Sequence, residues 1–110
     1  MRYGTSMMLL FLAAVLESGG DALMRSGLHN RTMTQRCGFF LAGGLILTAY
    51  GYIVNAPPWQ FGRLLGVYVT IFFLVAQSIA WLTFAEKPSS SVVFGGVLII
   101  VGGLVVSVGR

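Results

Sequence analysis

The chain has 110 residues, 56% of them hydrophobic and 9% charged, with a mean hydropathy of +0.86. Soluble domains carry about 25% charged residues, so this composition excludes an ordinary soluble domain and points to a membrane protein. The formal net charge of +4 comes from seven basic residues spread mostly over segment ends, which argues against nucleic-acid binding and for topology determinants at a membrane surface.

Four apolar segments follow one another, at about residues 5–24, 37–54, 64–84 and 92–108. Each is long enough to cross a hydrocarbon core of about 30 Å as a helix, and backbone polar groups in lipid must be satisfied within the segment. Period-two alternation, the mark of a barrel strand, is absent. The expected architecture is an all-α membrane protein with four transmembrane helices per protomer in a dimeric bundle, residues 1–110 forming one domain. Arg2 precedes the apolar run Met7 to Leu16 in the manner of a signal peptide. Glu17 is awkward in a cleavage region, however, and the run continues to Met24, so a first membrane span is the better reading.

The connections are short. Residues 25–36 are polar and basic, and residues 55–63 carry proline and glycine punctuation with Trp59 as an interfacial anchor. Residues 85–91 end the third helix and supply a hydroxyl-rich cap for the fourth. With an even number of spans, Arg2, Arg63 and Arg110 share one side, and Arg25, Arg31, Arg36 and Lys87 the other. Three against four is almost no bias under the positive-inside rule. It fits either a fixed orientation set by the first loop or insertion both ways as an antiparallel homodimer.

Of three acidic residues, two lie in the first segment, Glu17 and Asp21. Ionisable groups at bilayer depth are costly and mark proton, ion or substrate paths. Glu17 lies roughly 18 Å along the helix from Thr5, with Ala13 and Ala14 one turn earlier. Desolvation of a carboxyl without a charge partner favours its neutral form and lets such groups exchange protons near neutrality. Glu17 is therefore the expected proton and cation site, with helix–helix hydrogen bonding as the plainer alternative. Glu17, Asp21 and Arg25 form an i, i+4, i+8 stripe. Asp21 reads first as an interfacial partner of Arg25 and second as an additional proton or cation site.

Tyr68, about a turn inside the third helix, is the best-placed aromatic to face a bound cation beside Glu17. Gln77 and Ser78 are polar mid-span residues that could bond to a neighbour. Gly95, Gly96, Gly102 and Gly103 repeat over two turns of the fourth helix, which suits dimer packing and intramolecular packing equally. Cys37 is the single cysteine, so neither an intramolecular disulfide nor a metal-ligand spacing arises. No nucleotide loop, nucleophile triad or metal cluster occurs, so no enzymatic activity, cofactor or metal is expected.

Glu17 followed by Gly20 and Leu23-Met24-Arg25 resembles the membrane-glutamate signature of the small multidrug resistance family, within the drug/metabolite transporter superfamily. Trp81, Phe84 and Ala85-Glu86-Lys87 are similar to the end of that family's third helix, and Gly95, Leu98-Ile99 and Gly102 to its dimer helix. The stretch from Gly62-Arg63 to Tyr68 also looks like the related YnfA-type four-span proteins. The resemblance implies a multi-pass protein of the bacterial inner membrane, working as a homodimer, antiparallel in the usual case. It implies proton-coupled export of small cationic or aromatic substrates, with Glu17 of both protomers as the shared proton and substrate site. The family's Gly-Val-Gly hinge falls on Thr70-Ile71-Phe72 here, its pocket tyrosine on Leu65 and its pocket tryptophan on Tyr68. Asp21 stands where a small or hydroxyl residue is usual. Two alternatives remain: a flippase-like subunit for a lipid-linked metabolite, and a non-transporting accessory membrane protein.

Overall fold

A computed structural model describes residues 2–109; Arg110, counted in the charge comparison, lies outside them. Four helices follow in order: α1 Tyr3–Leu28, α2 Met33–Val54, α3 Phe61–Phe84 and α4 Ser90–Val108. Every one is long and apolar enough to cross a membrane, so the expected all-α, four-span fold is the fold observed. The helices extend beyond the expected bounds, most at α1, which continues through Arg25 to Leu28. Hydropathy marks where side chains turn polar, whereas backbone hydrogen bonding runs on into the interfacial residues.

Packing is flat, in the spatial order α2–α1–α3–α4, within extents of 50 × 35 × 19 Å. Close approach is set by glycine. A Cβ on Gly20 would fall 2.8 Å from Leu47, and one on Gly43 would fall 3.1 Å from the Gly20 carbonyl oxygen. The α1 and α2 backbones can therefore meet only because both positions lack a side chain. Against α3, α1 presents Leu10, Ala13 and Ala14, all fully buried, which pack with Leu64, Val67 and Tyr68 in the central core. Their i, i+3, i+4 spacing makes one continuous stripe that ends, a turn later, at Glu17.

Among the described residues α4 packs along α3, with one side-chain tie from Tyr3 of α1 to Ser107 in its last turn. The antiparallel rungs are Gly66 with Val106, Thr70 with Gly103 and Phe73 with Gly96. Gly96 and Gly103 thus serve packing within the protomer, while nothing lies within 4 Å of a Cβ built on Gly95 or Gly102. Adjacent helical residues point about 100° apart, so each glycine pair divides between two faces. The remainder of α4, including Phe94, Leu98, Val101, Leu104 and Val105, is exposed and apolar.

Two local features place the ends. Ser89 caps α4, its Oγ accepting from the Val92 amide at 3.3 Å, as the hydroxyl-rich loop implied. At the end of α3, Ala85 adopts a left-handed conformation with φ 55°, and the Glu86 amide donates to the Ala80 carbonyl at 3.1 Å. The Ala85 amide points at the same carbonyl, so the chain closes over the last turn of α3 with a left-handed residue where glycine is usual, and it carries Glu86 to the cleft beside α1.

Candidate functional site

Glu17 sits near the middle of α1, roughly 21 Å by helical rise from Tyr3 and roughly 16 Å from Leu28. Its side chain is half-buried and accepts a 2.7 Å hydrogen bond on Oε1 from the Tyr68 hydroxyl of α3. Tyr68 is only 4% exposed, so its ring is fixed by packing and its hydroxyl has little choice of direction. Ala13 and Ala14, fully buried one turn earlier, leave the space in which the helices meet beside Glu17. The two residues singled out from sequence as the proton and substrate site are thus brought together directly.

The distance lies where neutral and charge-assisted O–H···O bonds overlap. A phenol can donate to a carboxylate or to the carbonyl oxygen of a carboxylic acid. The bond therefore survives a change in the protonation state of Glu17. Around it runs an aromatic row: the Tyr50 ring of α2 lies 5.9 Å from that of Tyr68, and Phe72 lies 6.0 Å from Tyr68 on the other side. Ring faces beside a carboxylate provide both charge and quadrupole attraction for an organic cation. Tyr50 is one of many aromatics in the two middle helices; only the tertiary arrangement distinguishes it.

Asp21 departs from expectation. Among the described residues it forms no ion pair with Arg25, although they share the α1 stripe. The Arg25 guanidinium instead lies over the Phe84 ring of α3, 5.6 Å from its centroid. An exposed helical i, i+4 pair contributes only about 0.3–0.5 kcal/mol, which a cation–π contact across helices can match. Asp21 and Arg25 both line a cleft between α1 and α3.

At the opposite end, Tyr3 stacks on Trp59 with ring centroids 5.6 Å apart, and its hydroxyl lies 3.1 Å from Ser107 Oγ. Arg63 donates to the Ser107 carbonyl at 2.6 Å. Trp59, expected from the sequence as an interfacial anchor, is here part of a clasp joining α1, α3 and the last turn of α4. Ser78 bonds its own helix at Leu74 rather than a neighbour. At the position of the resembled family's hinge, Thr70 donates to the Ile99 carbonyl at 3.3 Å, and α3 runs through unbroken.

A family model described as "Uncharacterised BCR, YnfA/UPF0060 family" matches residues 4–110. The chain belongs to the YnfA/UPF0060 family. A UPF0060 membrane protein of Kineococcus radiotolerans is 34% identical over 100 residues, 88% of this chain and 86% of the relative. One of Mycolicibacterium gilvum is 40% identical over 77 residues, 69% of this chain and 67% of the relative. A third, of Herpetosiphon aurantiacus, is 25% identical over 103 residues, 92% and 91% of the two chains. No solved structure matches the chain. Family and fold together make this a multi-pass membrane protein, and the YnfA-type half of the resemblance is the one the relatives share.

Proposed function

We propose that the protein is a proton-coupled exchanger of small organic cations, with Glu17 as the carboxylate for which proton and cation compete. The observation that carries this reading is the 2.7 Å bond from Tyr68 to Glu17. A carboxyl kept at mid-span, held by a donor that tolerates both its charge states and flanked by Tyr50 and Phe72, can release a proton when a cation arrives. It can take the proton back when the cation leaves. One group serving both ligands couples their movements without ATP.

The working unit in this reading is a homodimer in which Glu17 of each protomer faces a shared cavity. The half-burial of Glu17 and the open Gly95–Gly102 stripe of α4 support it, as does the resemblance to the small multidrug resistance family. In that arrangement Gly95 and Gly102 pack between protomers, while Gly96 and Gly103 have their partners in α3. A lipid-linked substrate gives no reason for an ionisable group at this depth, and a hydrogen bond that only tied α1 to α3 would not need an ionisable side chain.

The test is uptake of methyltriphenylphosphonium into proteoliposomes under an imposed pH gradient. Gradient-driven uptake that is lost in Glu17→Gln supports exchange; equal uptake by the variant contradicts it.

A further inference from the structure

We infer that the cleft between α1 and α3, one turn beyond Glu17, is a second cation subsite that takes a protonated aromatic amine. On α1 its wall is Ser18, Asp21 and Arg25, spaced i, i+3, i+7 on one face; on α3 it is Phe72 and Phe84, with Glu86 at the mouth. The cavity measures about 290 Å³, near the lower end of the roughly 300–1,000 Å³ usual for small-molecule pockets. That suits one aromatic ring with a short amine.

The acidic side chains alone would not make a site. What points to a ligand is Ser18, 5% exposed, whose Oγ has no hydrogen-bond partner among the described residues. A buried hydroxyl left unbonded is costly, and the residue that carries this one is part of the cleft wall. An ammonium N–H donates to it naturally; a quaternary nitrogen cannot. Asp21 is not committed to Arg25, whose guanidinium rests over Phe84, so its carboxylate is available. Glu86 is brought to the mouth by the left-handed turn at Ala85. Phe72 also flanks Tyr68, so a cation leaving this subsite next meets the ring row beside Glu17. In this arrangement Asp21 and Glu86 recruit the amine from the membrane face that carries the first and third loops.

The inference builds on the reading of Glu17 as the exchange carboxylate, and binding separates the two. The full chain in lipid nanodiscs is titrated with benzylammonium, and separately with benzyltrimethylammonium, at one neutral pH by calorimetry. Binding of benzylammonium is expected to persist in Glu17→Gln and to weaken about fivefold when Asp21→Asn is added, the upper range for an exposed charge pair. Glu86→Gln, in the loop after α3, is expected to weaken it about twofold and supports the inference even where Asp21→Asn fails to fold. Ser18→Ala is expected to abolish the preference for benzylammonium over its trimethylated analogue. Unchanged affinity in Asp21→Asn and Glu86→Gln overturns the subsite, as does complete loss of binding in Glu17→Gln alone. Asp21-dependent binding by a protein that fails to transport removes the exchange reading and leaves the subsite standing.

Discussion

The Tyr68 hydroxyl donates to Glu17 Oε1 at 2.7 Å, tying α3 to α1 at mid-span. Both partners are set by packing that precedes them in each helix: Leu10, Ala13 and Ala14 on α1, Leu64 and Val67 on α3. The core therefore positions the carboxylate, and the same stripe that stabilises the helix pair leads into the site.

Tyr68→Phe keeps the ring and removes the donor. A hydrogen bond to a charged group contributes about 1.5–3 kcal/mol, so cation uptake in proteoliposomes is expected to fall roughly tenfold or more. Helical content stays that of the parent because the ring still fills its place, while the unfolding midpoint in detergent falls by what the lost bond contributed.

The glycines of α4 differ in what substitution does. Gly103→Ala drives a methyl group into Thr70 and is expected to destabilise the protomer by about 1–3 kcal/mol, the usual cost of overpacking. Gly102→Ala meets nothing within 4 Å and gains helix propensity of up to about 1 kcal/mol. Denaturant unfolding in mild detergent distinguishes them, and cross-linking of Gly102→Cys reports whether that face meets a second protomer.

Ala85 is strained where its turn wants glycine. Ala85→Gly is expected to raise stability by about 0.5–1 kcal/mol, the left-handed penalty less the entropy glycine loses on folding. An unfolding midpoint that falls instead would mean that the turn at φ 55° does not persist in the membrane.

The clasp at the other face is tested by Arg63→Ala. Without the donor to the Ser107 carbonyl, the last turn of α4 loses one of its few ties to the rest of the protein. Amide hydrogen exchange at residues 105–108 is expected to quicken several-fold, with the protection of α1 and the first turns of α4 unchanged.

Which of these features could be read from the chain follows a physical divide. The spans and Glu17 were legible because an isolated acid in a long apolar run has few explanations. Tyr68 was legible as a hydroxyl-bearing ring about a turn inside the expected third segment, which begins at about residue 64. A hydroxyl cap within residues 85–91 was legible because α4 needed one, but which of the three serines supplies it was not. Arg25 was not: the i, i+4 rule predicts Asp21 as its partner, but a long side chain at a helix end reaches an adjacent helix, and the sequence does not say that Phe84 is there. The glycine pairs were legible as close-packing positions, yet which member faces α3 depends on the rotation of α4 about its axis. Ser18 is not legible, because a serine in a helix carries no signal until its neighbours are known to leave its hydroxyl unbonded.

Proton release on cation binding tests the central claim most directly, since it reads competition at Glu17 without requiring transport. Detergent-solubilised protein in weak buffer is mixed with methyltriphenylphosphonium while a pH indicator is followed. A saturable release of protons by the parent chain, lost in Glu17→Gln and retained in Glu17→Asp, is the predicted result. Cation binding with no proton release, or equal release from Glu17→Gln, would contradict it.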